Sequence, residues 1–128
     1  MSTEARNVEI LKEAYRQWHD TRGGSVDHFI SVVDENISFG SLPRGEAPME
    51  FATHYANREV LRGYFKQMLE QWSMNAYEVT QFIAQGDMVV MQGFCSWTNK
   101  ATGKTVDTPK VDIWRFRDGK AVEFYELF

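Results

Sequence analysis

The hydrophobic period of the chain changes once, near residue 72, and that change divides it into a helical part and a sheet part. Val8, Leu11, Ala14, Tyr15 and Trp18 recur at three- and four-residue steps, which predicts an amphipathic helix over residues 3–20. Ser2 or Thr3 can cap its start, and Gly23-Gly24 can end it. Ser25 opens a short second helix with Asp27 in its first turn, where the helix dipole favours an acid. Phe29, Ile30, Val32 and Val33 form its apolar face, and Ile37–Phe39 reads as a short strand. Residues 40–57 hold Gly40, Gly45, Pro43 and Pro48 and read as a long loop, with room for a short hairpin or helical turn. Loops of that length in a small domain are usually functional or mobile. Asn57 can cap a third helix over 58–72, with Val60, Leu61, Tyr64, Phe65, Met68, Leu69 and Trp72 on its apolar face. Gly63 costs that helix about 1 kcal/mol against Ala, so it marks a place of close approach. Beyond it a period of two takes over. Residues 75–85, 88–98, 105–117 and 120–128 read as strands joined by Gly86-Asp87, the loop 99–104 and Arg117-Asp118-Gly119. Three helices followed by an antiparallel meander predict an α+β domain in which the helices cover one face of the sheet.

The last hairpin carries the strongest chemical signal. Asp112 stands in a run of large apolar residues, although Asp is a poor strand former and is rarely buried without a partner. A two-residue turn at Asp118-Gly119 would pair Asp112 with Tyr125 and put Glu126 on the other face. A three-residue loop, Arg117-Asp118-Gly119, would end with a left-handed glycine and a bulge. It aligns Asp112, Trp114 and Phe116 with Val122, Phe124 and Glu126. The second form is favoured because it gathers the larger apolar set on one face, and burial of one face fixes register. Asp112 and Glu126 then become diagonal neighbours about 7 Å apart at the backbone. Burial and mutual repulsion would raise a carboxyl pKa in such a pair. Alternatively Lys110, opposite Glu126, neutralises it, while Asp112 bonds to a Tyr, a Trp or water.

Length and composition narrow the function. A chain of 128 residues fits a single domain, 1–128, with a sizeable core. Eighteen acids against fourteen bases, with no dense basic run, argue against nucleic acid as a partner. No apolar stretch approaches the ~20 residues that cross a bilayer, so no membrane partner is expected. The polar, acidic N-terminus lacks a signal core, and a single Cys95 fits a reducing compartment, so a cytoplasmic location is expected. His19, His28 and His54 have no metal-ligand spacing, and no metal or other cofactor is expected. Nine Phe, five Tyr and four Trp are enough to line a cavity for a flat ligand.

The order of elements resembles the SnoaL-like and ketosteroid-isomerase-like branch of the nuclear-transport-factor-two-like superfamily. The segment Val111-Asp112-Ile113-Trp114-Arg115-Phe116, then Asp118-Gly119-Lys120 and a closing aromatic-acid-aromatic strand, carries the resemblance. It implies a cone-shaped, barrel-like α+β roll of the cystatin-like kind: a curved antiparallel or mixed sheet wrapped around three N-terminal helices, with an internal apolar pocket. Asp112 resembles the isomerase Asp that is kept protonated to donate to a developing oxyanion. The isomerase base falls near Gly40 and Ser41, and its helical Tyr nearest Gln17 or Trp18, so both groups are missing. Steroid isomerisation by that route is not expected. The Asp-Arg-Asp set of epoxide hydrolases finds only Glu126, and the acid–His set of polyketide cyclases finds only Asp112.

These readings give a working site. Asp112, Glu126, Tyr15 and His54 are the candidate catalytic residues, with His54 brought in by the long loop. Trp18, Phe39, Tyr64, Trp72, Phe94, Trp97, Trp114 and Phe124 are the candidate ligand-binding residues, although each aromatic alone is more simply read as core. The ligand class is a small hydrophobic, carbonyl-bearing molecule. The reaction, if there is one, is an isomerisation, cyclisation or dehydration by proton transfer beside a carbonyl. The other class is a noncatalytic binding module. A homodimer is expected through an outer sheet face of Val111, Ile113, Ala121, Tyr125 and Leu127.

Overall fold

The structure, a computed structural model, describes residues 1–128. Its elements are α1 (Thr3–Asp20), α2 (Val26–Val32), β1 (Val33–Ser41), α3 (Arg58–Gln71), β2 (Trp72–Gln85), β3 (Met88–Asn99), β4 (Thr105–Arg117) and β5 (Lys120–Leu127). Local chemistry sets the helix ends. The Ser2 side chain accepts from the Ala5 N–H at the start of α1, and Asn57 accepts from Val60 at the start of α3. Gly23, at φ +84°, turns the chain out of α1, and a Cβ there would lie 2.9 Å from Leu69 Cδ2. The glycine therefore supplies both the left-handed turn and the close seat of α1 on α3. No helix is long and apolar enough to cross a membrane.

The five strands form one curved, unclosed, mixed sheet in the order β1-β5-β4-β3-β2. β1 runs parallel to β5, and every other pair is antiparallel. β1 is nine residues long rather than the three expected. It starts directly at the end of α2, where Val33 pairs with Ala121, and re-forms at Ser38 after an irregular stretch. In that stretch Asp34 Oδ1 accepts from the Asn36 N–H, a local turn that breaks the alternation the sequence reading depended on.

The β4–β5 hairpin differs from both expected registers. Arg117 pairs with Lys120 across a two-residue turn in which Asp118 and Gly119 both have positive φ, 51° and 78°. A bulge follows, so Arg115 pairs with Glu123 while Phe116 pairs with Ala121. The extra residue, Val122, restores the favoured facing. Asp112, Trp114, Phe116, Phe124 and Glu126 are buried on the inner side, and Ala121 rather than Val122 joins them. Ala121 is therefore core and cannot belong to the outer face. Glycine has one further steric role, at Gly93. A Cβ there would lie 2.2 Å from the Glu78 carbonyl oxygen, beside the irregularity between Val79 and Gln81 in β2.

The core lies between the inner sheet face and the helices. Leu11, Ala14, Tyr15 and Trp18 of α1 and Leu61, Tyr64, Phe65 and Met68 of α3 pack toward Val89, Met91, Trp114 and Phe124. Phe29 of α2 stacks on Trp114 at 6.3 Å with an interplanar angle of 7°. The segment after β1 forms turns and no helix, and it is tied back where Phe39 and Tyr55 exchange backbone hydrogen bonds of 3.0 and 2.8 Å. Its Phe51 and Ala52 are buried.

Candidate functional site

Asp112 and Glu126 face each other as a direct pair across β4 and β5, not as diagonal neighbours, and each is 1% exposed. The two-residue turn and the bulge at Val122 together put Asp112, and not Lys110, opposite Glu126. Lys110 precedes Asp112 by two residues and shares its face. Its ammonium reaches both carboxylates, contacting Asp112 Oδ1 and lying 2.9 Å from Glu126 Oε1. Asp112 Oδ2 accepts from the hydroxyls of Tyr15 at 2.5 Å and Tyr77 at 3.1 Å. Trp114 Nε1 donates in turn to the Tyr15 oxygen at 2.9 Å. Glu126 accepts from Tyr64 at 2.9 Å and from Ser41 Oγ at 2.5 Å. Tyr15 thus brings a hydroxyl from α1 to Asp112.

Donor arithmetic assigns the proton positions. An indole N–H and an ammonium can only donate. The Tyr15 oxygen takes the Trp114 proton, and its own proton goes to Asp112. Asp112 accepts from Tyr15 and Tyr77 and contacts the Lys110 ammonium. Burial works against the Lys110 charge, but Asp112 and Glu126 outweigh it and hold its pKa well above the ordinary lysine value. Burial, followed by the neighbouring carboxylate charge, pushes the phenols of Tyr15, Tyr64 and Tyr77 well above the ordinary tyrosine range. At neutral pH the cluster presents one ammonium and three neutral phenols to two acid side chains.

Two voids adjoin this cluster. One, of about 60 Å³, is lined by Met49, Phe51, Tyr64, Met68, Trp72, Cys95, Trp97, Val106, Thr108, Lys110, Glu126 and Phe128. The other, of about 40 Å³, is bounded by Tyr15, Trp18, Phe29, Phe39, Tyr77, Trp97, Asp112, Trp114 and Phe124, among others. Tyr64, Lys110 and Glu126 line both, whereas Asp112 lines only the second. The rings of Tyr77, Phe124 and Phe128 surround the Lys110 ammonium at 6.0, 5.7 and 5.5 Å. Burial pushes the Cys95 thiol up to about 11, which disfavours its thiolate at neutral pH. No group of three His, Cys, Asp or Glu side chains is arranged to hold a metal.

The structure therefore brings Asp112, Glu126 and Tyr15 together and places seven of the eight expected binding aromatics around the voids. Two residues lie elsewhere. His54 is 3.1 Å from Ser38 Oγ and lines a groove with Arg115, Glu123 and Tyr125, on the opposite side of the sheet from Asp112. Phe94 pairs with Glu78 and Pro109 and is 37% exposed, because period two turns it outward between Gly93 and Cys95. Lys110, Tyr77 and Ser41 are members of the cluster that the sequence reading did not count as site residues. For Lys110 a signal was present: it alternates with Asp112 and Trp114 on one strand face.

Comparison with known proteins agrees with the fold. No curated protein matches the sequence. Many solved structures share the fold, three of them as follows. An NTF2-like protein of unknown function from Burkholderia pseudomallei superposes with TM-score 0.83 at 20% identity, covering 100% of this chain and 92% of that one. TerC, co-crystallised with polyporic acid, gives 0.81 at 21% identity over 96% and 91% of the two chains. A putative SnoaL-like polyketide cyclase from Mesorhizobium loti gives 0.76 at 21% over 94% and 97%. The family model for the SnoaL-like domain matches residues 12–124, and the chain belongs to that family.

Proposed function

We propose that this protein binds a small, mostly hydrophobic, carbonyl-bearing molecule and moves a proton at or beside the carbonyl, in an isomerisation, cyclisation or dehydration. The observation that carries the proposal is the buried Lys110 ammonium held between Asp112 and Glu126 at the wall of an aromatic cavity. A carbonyl oxygen entering there meets Lys110 and the Tyr64 hydroxyl, both able to stabilise developing negative charge in a low-dielectric setting. Glu126 lines the same void and is the acid side chain placed to accept the proton. Asp112, with Tyr15 and Tyr77 behind it, holds Lys110 in position. TerC, similar in fold, was crystallised with polyporic acid, which supports a ring-shaped oxygenated ligand.

The roles are separable. With a panel of steroid, polyketide and phenolic carbonyl compounds, affinity is measured by calorimetry and turnover by NMR. Glu126→Gln should abolish turnover and leave affinity within a few fold. Equal losses of both would remove Glu126 as the base.

A second reading is a noncatalytic binding module of the same fold. It is favoured by the closure of the network, in which every polar group of the cluster already has a protein partner. Binding with no turnover by any member of the panel would select it. Either reading accommodates a homodimer on the outer face of β4 and β5, where Tyr125 is 38% exposed beside Val111, Ile113 and Leu127. Light scattering across a concentration series tests that association.

A further inference from the structure

Trp72 is 5% exposed and lines the 60 Å³ cavity, yet no protein group accepts from its indole Nε1. A buried N–H is normally paired, because burying it unpaired forfeits its hydrogen bond to water. The contrast within the same site is direct, since the indole of Trp114 is bound to Tyr15. The two other orphaned buried groups, Ser25 Oγ and His28 Nε2, belong to the start of α2 and do not line this cavity. The rest of the wall is apolar apart from the Lys110, Tyr64, Glu126 and Thr108 groups. The wall thus combines polar groups that are internally satisfied with one side chain, Trp72, whose buried donor has nothing to bind.

We propose that Trp72 is a ligand-binding donor whose indole N–H takes a second acceptor oxygen of the ligand. The site then selects molecules carrying two oxygens on an apolar ring frame, one at Lys110 and Tyr64 and one at Trp72, over analogues with a single carbonyl. This inference rests on the site reading given under Proposed function and specifies its ligand class.

Matched probes test it. 1-Indanone carries one carbonyl, whereas 1,3-indandione and 2,3-dimethyl-1,4-naphthoquinone carry two at different spacings. Affinities are measured for the wild type and for Trp72→Phe, which keeps a large aromatic side chain and removes the donor. At least one two-oxygen probe should lose about five- to tenfold more affinity in Trp72→Phe than 1-indanone does. In wild-type protein labelled with nitrogen-15, the same probe should move the Trp72 indole N–H proton resonance downfield, which needs no variant. Equal losses for one- and two-oxygen probes, or an unmoved indole resonance in the bound state, overturn the assignment and leave the site reading standing. Failure of all three probes to bind the wild type counts against the site reading itself and takes this assignment with it.

Discussion

Alkaline pH should unfold this protein sharply, and the site determines how sharply. Lys110, Tyr15, Tyr64 and Tyr77 all have folded pKa values well above their ordinary 10.5 and 10.0. For Lys110 burial works against the charge but the two carboxylates prevail; for the phenols burial dominates. All four keep their protons in the fold at a pH where the unfolded chain has released them. Their contribution to stability is complete below about pH 10 and is lost as pH rises toward the folded values. Each group removes about 1.4 kcal/mol per pH unit once the unfolded chain has released its proton, so four together remove at most roughly 5 kcal/mol per unit. A domain of this size has about 5–15 kcal/mol to lose, which places unfolding roughly one to three units above pH 10. Urea titrations at successive pH values measure the slope, and tyrosinate absorbance counts the phenols. The three buried phenols should ionise together with loss of circular dichroism, and Tyr64→Phe should lower the slope by about one proton. Gradual ionisation of all five tyrosines with the fold retained would refute the reasoning.

Three other outcomes follow from the geometry. Lys110→Met leaves Asp112 and Glu126 facing each other without a cation and should cost about 3–5 kcal/mol in urea denaturation. Adding Asp112→Asn and Glu126→Gln should recover most of that, and a loss under about 1 kcal/mol for the single variant contradicts the bridging role. Tyr15→Phe removes a donor from Asp112 and the acceptor of Trp114, and should cost about 1–3 kcal/mol by the same assay, whereas an unchanged urea midpoint would show that neither bond matters. Gly93→Ala drives a methyl toward the Glu78 carbonyl and should cost about 1–3 kcal/mol, with faster amide exchange confined to β2 and β3; an unchanged melting temperature contradicts it.

The parts of the fold legible in the sequence are those fixed by neighbours along the chain. Ser2 and Asn57 cap helices through bonds to residues three positions away, so both starts were readable. The alternation of β4 placed Asp112 and Trp114 on the buried face correctly. The extent of β1 was not readable, because Asp34, Glu35 and Asn36 are a polar stretch that lies between its two pairings with β5, at Val33 and from Ser38 on. The hairpin register was only half readable. Arg117-Asp118-Gly119 is compatible with two turns, and the bulge that decides the facing lies at Val122, beyond the turn, where the buried fit of Ala121 beside Val33 selects it. His54 was misplaced for the same reason. Its position depends on the backbone bridge between Phe39 and Tyr55, which carries no periodic signature. Lys110 was visible as a charge on the correct face. What strand alternation does not encode is that its long stem would reach both acids.

The parallel pairing of β1 with β5 joins segments about 88 residues apart, from Val33 to Ala121, a separation that makes the contact slow to form. During synthesis α1, α2 and β1 emerge with no partner for the strand, and the Ser41 hydroxyl waits for Glu126 until the hairpin β4–β5 exists. The half-made chain therefore holds an unpaired edge and an uncovered apolar helix face throughout translation of the intervening sheet. The acid–lysine cluster draws Ser41 from β1, Lys110 and Asp112 from β4 and Glu126 from β5, so it is complete only once this longest-range pairing has formed.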